Sequence, residues 1–152
     1  MMANVEEFMN RGFFSVSPIT PLIEVEAIIL ENRTSAVPVC ENGKLCGVIC
    51  DRDIITRIVE NGGSLNGQCS MSLMDKKYPV VSPSDDLFHP ARMMQHSWLS
   101  VLQVAQDGKL VGILTLDKLA AVNLHIAATV ISKAAKQKLR RCREEGLSIN
   151  RC

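Results

Sequence analysis

The stretch NGKLCGVICDRDI, Asn42 to Ile54, returns as DGKLVGILTLDKL, Asp107 to Leu119, an offset of 65 positions. The same offset takes Met9 to Met74, Val16-Ser17-Pro18 to Val81-Ser82-Pro83, Leu22 to Leu87, Ser35 to Ser100 and Gly47 to Gly112, with no gap. Self-similarity at a fixed period marks a tandem duplication and constrains the fold more than composition does. One such unit is too small to cover both faces of a sheet. Two copies together bury what each alone would expose, and leave two related crevices between them.

Each copy reads in the same order. A short extended piece ends in Ser-Pro, where proline disfavours helix in the residue before it. An amphipathic helix follows, with Leu22, Val25, Ile28 and Ile29 on its apolar side. Two β runs then flank a tight turn, AVPVC and KLCGVIC around Asn-Gly and VLQVA and KLVGILT around Asp-Gly, the dipeptides that favour a two-residue hairpin. That turn sets Glu41 opposite Lys44 and Cys40 opposite Leu45. A second helix begins at Asp51 or Asp117, each a suitable N-cap; in the first copy Ile54, Ile55, Ile58 and Val59 are expected to line its buried side and Gly62 ends it. Pro90 falls where Val25 sits in the first copy, so the matching helix is expected to start late or to kink. From Asp117 a helical pattern runs on to Glu145, before Gly146, roughly 40 Å if continuous.

The 152 residues hold 17 Lys plus Arg against 16 Asp plus Glu, so there is no overall field to hold nucleic acid or an anionic membrane. Apolar runs are short and no secretory pattern opens the chain, which predicts a cytoplasmic protein. Strict strand alternation puts Cys40 and Cys46 on opposite faces, and separates Cys46 from Cys50 by about 13 Å, too far for one metal ion. The six cysteines read as small apolar fillers in a reducing compartment, with no metal site and no disulfide. His89, His96 and His125 stand at no spacing that assembles a nucleophile, a base and an orienting residue, so no catalytic site is expected.

The order strand, helix, hairpin, helix, with AVPV, NGKLCGVI and a closing Gly-x-x-(Thr/Ser)-x-x-Asp type of turn, resembles the cystathionine-beta-synthase (CBS) domain pair, or Bateman module. The resemblance covers Val5 to Leu124 and implies a mixed α/β (α+β) fold. Repeats at 5–63 and 64–124, each a small sheet with two helices, would pack as a pseudo-twofold disc, with a helical extension at 125–152. It also implies a regulatory sensor of AMP, ADP, ATP or S-adenosylmethionine, bound between the repeats, with the turn's Asp on the ribose. The first turn keeps that residue as Asp53 and has Cys50 in the hydroxyl position. The second keeps Thr115 and has Lys118 in place of the Asp.

A carboxylate accepts hydrogen bonds from both ribose hydroxyls, each bond to a charged group contributing roughly 1.5–3 kcal/mol, whereas lysine offers no acceptor. The Asp53 crevice is therefore expected to be the better site. Val48, Cys50, Arg52 and Asp53 would line one side of it and Tyr78, Val80, Ser82, Ser100, Val101 and Leu102 the other, with Arg52 towards a phosphate. The weaker crevice would hold Ile113, Thr115, Lys118, Phe14, Val16, Ser35 and Ala36. Family members that grip phosphate often carry Arg or His where this chain has Ser35 and Ser100, which points to a weakly charged ligand.

Beyond Leu124, apolar residues up to Ala135 give way to Lys136, Lys138, Arg140, Arg141 and Arg143, read as a solvated face. The apolar part suggests a homodimer, and a downstream effector protein is a further expected partner. Two functions follow: an adenosine-nucleotide sensor that reports through dimer packing, or a ligand-free scaffold for dimerisation and docking.

Overall fold

The computed structural model describes residues 3–97, 99–122, 136, 137 and 140. Its elements are α1 (Val5–Phe8), α2 (Leu22–Asn32), β1 (Ala36–Glu41), β2 (Lys44–Cys50), α3 (Asp51–Glu60), β3 (Val80–Val81), α4 (Phe88–Ser97), β4 (Val101–Gln106), β5 (Lys109–Thr115) and α5 (Leu116–Val122). The strands form one mixed sheet in the order β1-β2-β5-β4-β3. This is the mixed α+β pair of repeats expected from the sequence.

Both hairpins close through residues with positive φ, 53° at Asn42 and 79° at Gly43, then 54° at Asp107 and 77° at Gly108. Two consecutive positive values define the turn whose twist matches paired strands, which is why Asn-Gly and Asp-Gly were informative. Glu41 pairs with Lys44 and Cys40 with Leu45, as the two-residue turn requires. A register shift at Val39/Cys40 then inserts Cys46 as an extra residue, and the same shift recurs at Val104/Ala105. Strict alternation ends at this bulge. Cys40 and Cys46, expected on opposite faces, lie near one another: burial pushes the Cys40 thiol up, and Cys46 pushes it further.

The helix starts differ slightly from expectation. Residue 50 caps α3 and Asp51 is its first helical residue, while α5 begins at Leu116 rather than at Asp117. The helix containing Pro90 begins one position later than its counterpart, at Phe88, so the proline falls in the first turn, where its missing N–H is not needed. The Asp86 side chain accepts from the Phe88 and His89 amides at 2.9 and 3.1 Å and so starts that helix. Lys136, Gln137 and Arg140 are helical, but the rest of the expected course of the C-terminal helix to Glu145 lies outside the described residues.

Approximate twofold symmetry follows the 65-residue offset down to single hydrogen bonds. The Leu45 amide donates to the Gly108 carbonyl at 2.9 Å and the Leu110 amide to the Gly43 carbonyl at 3.2 Å, joining β2 to β5 edge to edge. Ser35 and Ser100, equivalent residues, share a hydroxyl hydrogen bond of 3.0 Å and so sit beside the pseudo-axis.

The cores are exchanged at their edges. Val5 and Met9 pack with Leu102, Val104, Leu114 and Leu119 of the second copy, while Leu73 and Met74 pack with the core around Leu22, Val25 and Ile49. Val48 and Asp75 exchange backbone bonds of 3.0 and 2.9 Å, and Asn10 and Ile113 exchange bonds of 2.7 and 3.0 Å. Each copy is therefore completed by residues that lead into the other. These crossings carry Asp75 and Asn10 to the mouths of the two crevices.

Candidate functional site

Along β1 and β4 the first four residues are all buried. Strand alternation then assigns them to two faces. Val37, Val39, Leu102 and Val104 belong to the helix-covered cores. Ala36, Pro38, Val101 and Gln103 face the junction of the copies, where Ala36 and Val101 border both crevices.

The smaller crevice, about 240 Å³, is lined from one side by Val48, Cys50, Arg52 and Asp53, at the end of β2 and the start of α3. Asp75, Tyr78, Pro79, Ser97, Leu99, Val101 and Gln103 close it. The Tyr78 hydroxyl donates to the Leu45 carbonyl at 3.1 Å, which fixes the ring as a wall. Asp75 accepts from the Lys77 amide at 2.8 Å and stands at the exposed mouth. Arg52 is exposed and makes no ion pair among the described residues, so its guanidinium is available to an anion at the rim.

Cys50 precedes Asp53 by three residues, and its thiol is pushed up from 9.0 to about 11. Burial is the main cause and the Asp53 carboxylate the next, with Arg52 opposing them. Two pH units mean about a hundredfold less thiolate than an ordinary cysteine carries at pH 8. Alkylation of the native protein by iodoacetamide at pH 8 should accordingly modify Cys50 far more slowly than the same residue in urea, as followed by peptide mass spectrometry. Equal rates would contradict this placement. The unfolded chain loses this proton first, so the thiol's contribution to stability is complete below pH 9 and disappears as pH rises towards 11.

Shifted by 65 positions, every residue lining the smaller crevice except Asp53 falls on a residue lining the larger, about 800 Å³; Asp53 falls on Lys118. Ile113, Thr115, Phe14, Ser35 and Ala36 line it as the sequence suggested, but Lys118 is exposed and does not. A lysine stem carries its ammonium out to water, where a short aspartate stays beside the backbone. The larger crevice has Thr34 and Pro38 in place of Leu99 and Gln103, and it extends further, over Ser35, Ser100, Leu116 and Ala120.

Besides Lys118, four residues expected at the sites lie outside both crevices. Leu102 is fully buried in the second core and Val16 is buried in the first, bridged to Val39. Val80 and Ser82 border a separate shallow groove with Leu45 and Gly108, because after Pro79 the chain turns into β3 alongside β4. Ser100 lies on the larger crevice rather than the smaller. Conversely Asp75, Pro79, Ser97, Leu99 and Gln103 were not foreseen. The alternation of VLQVA was the available signal for Gln103, since Val101 and Gln103 must share the face that Leu102 leaves.

Profile comparison matches the CBS domain twice, at residues 5–60 and 70–124. The chain belongs to the CBS domain family. Among curated CBS relatives, the CBS domain-containing protein YhcV of Bacillus subtilis is 29% identical over 120 residues, spanning 78% of this chain and 84% of that protein. Among solved structures, the CBS-pair protein CBSX2 of Arabidopsis thaliana is 26% identical with a TM-score of 0.72, covering 83% of this chain and 97% of that one. CBSX2 in complex with AMP is 27% identical with a TM-score of 0.68, over 81% and 97%. A CBS domain protein of Thermoplasma acidophilum is 26% identical with a TM-score of 0.74, over 88% and 77%. Among the described residues no helix is long and apolar enough to cross a membrane.

Proposed function

We propose that this CBS pair is a regulatory, non-catalytic sensor of an adenosine ligand, and that the Asp53 crevice is the binding site. The observation that carries the reading is that Asp53, the retained carboxylate of the turn, borders a crevice walled by both copies. That position suits a bidentate contact to ribose hydroxyls. The binding of AMP by CBSX2 supports the ligand class. A crevice of about 240 Å³ is below the usual size for enclosing a whole ligand, so base and ribose would enter and the phosphate would remain at the rim beside Arg52. Asp75 and Asp53 outnumber that one cation, which favours a monophosphate or an uncharged nucleoside over a triphosphate. Titration calorimetry with AMP, ADP, ATP and S-adenosylmethionine tests the reading, and silence from all four would end it.

For a ligand to regulate, it must favour one arrangement of its surroundings, and a homodimer supplies one. Ile55 and Val59, expected on the buried side of α3 with Ile54, are instead 61% and 75% exposed one helical turn apart, and Ile23 and Leu30 lie exposed on the adjacent α2. Stripes of this kind favour self-association over scattered solvent exposure. Light scattering should give twice the chain mass for the wild type and the single-chain mass for Ile55→Glu/Val59→Glu, with circular dichroism unchanged. A double variant with wild-type mass would remove this face from the dimer.

A further inference from the structure

Gln103 lies on β4 with 1% of its surface exposed, and its Nε2 is buried with no hydrogen-bond partner among the described residues. At the equivalent position the first copy has Pro38, which brings no side-chain donor. A buried donor left unpaired costs stability, and native proteins seldom retain one without a reason. Here the carboxamide borders the smaller crevice, opposite the turn that presents Asp53. Of the polar residues lining this crevice it is the one that is buried, in the same wall as Leu99 and Val101.

We infer that Gln103 determines base specificity, its buried carboxamide pairing with the edge of a 6-aminopurine seated in the Asp53 crevice. This rests on the adenosine reading above and assigns the selection to one residue. A carboxamide offers an N–H donor beside a carbonyl acceptor, and the edge of adenine that carries N7 offers the complement, N7 as acceptor beside the 6-amino donor. The two make a bidentate pair. On that edge a 6-oxopurine presents two acceptors, N7 and O6, so the carboxamide oxygen has no donor to meet in either orientation of the amide. A site built to pair a donor rejects the analogue lacking it far more strongly than an apolar pocket rejects a change in size.

The test titrates the full chain with AMP and with inosine monophosphate. The wild type should prefer AMP by about tenfold or more, and Gln103→Met should bring that ratio close to one. The ligand-free Gln103→Met protein should also melt higher than the wild type, because the unpaired donor is gone while the volume is kept; Gln103→Leu provides the same comparison in a second side chain. Asp53→Ala should weaken both nucleotides alike. A Gln103→Met protein that keeps the AMP preference, or that melts lower when ligand-free together with Gln103→Leu, would overturn the inference alone. Binding of neither nucleotide by the wild type would overturn the adenosine reading and this inference with it.

Discussion

Asp53→Ala should weaken AMP binding by roughly a hundredfold or more in titration calorimetry, with little change in the melting temperature of the free protein. The size follows from hydrogen bonds to a charged acceptor, each contributing about 1.5–3 kcal/mol, and from the tenfold change that each 1.4 kcal/mol represents. The free protein should tolerate the change for two reasons. Asp53 is only half-buried, and Asp51 remains in the first turn of α3, its side chain accepting from the Arg52 amide at 2.8 Å. The helix thus keeps an acidic group at its positive end, and the loss is at the lower end of the 0.3–1 kcal/mol typical there. Asp53→Asn distinguishes the roles further: its amide keeps one acceptor and should recover part of the affinity. Undiminished binding by Asp53→Ala would sink the crevice as the site.

The contrast with Leu102 shows how far the sequence could be read. The offset, the two hairpin turns and the pairing Cys40 to Leu45 follow from local rules, since a turn of two residues with positive φ leaves the strands one register. The end of β2 and start of α3 are equally local, and Val48, Cys50, Arg52 and Asp53 all border one crevice. The opposite wall is not local. It depends on which face of β4 meets the other copy, and the contiguous run Ser100, Val101, Leu102 could not satisfy a period of two. Leu102 belongs to the core, so Leu102→Ala should cost about 2–5 kcal/mol in stability without altering the crevice lining. The bulge at Cys46 was likewise hidden, because an inserted residue leaves no mark in the alternation of so short a strand.

Stability losses as large as that of Leu102→Ala should come from the crossings, where a change near one end of the chain acts on the opposite copy. Met9→Ala is expected to cost about 2–5 kcal/mol, because Met9 fills the core that includes Leu114 and Leu119, and for a chain of this size that is a fall of several degrees in Tm. Gly112→Ala approaches the same contact from the other side. A Cβ there would lie 2.8 Å from the Met9 sulfur and 3.0 Å from the Asn10 carbonyl oxygen, an overpacking expected to cost about 1–3 kcal/mol. Part of that strain is against Met9, which the alanine at position 9 removes, whereas the carbonyl of Asn10 stays. The double variant should therefore be more stable than the sum of the single losses predicts, by an interaction of about 0.5 kcal/mol or more in urea unfolding. Hydrogen exchange locates the effect. Met9→Ala should speed exchange in β4 and β5 well before β1 and β2, since the residues it supports lie across the pseudo-axis from its own copy. Faster exchange confined to β1 and β2 would mean that each copy fills its own core and that the exchange of segments is wrong.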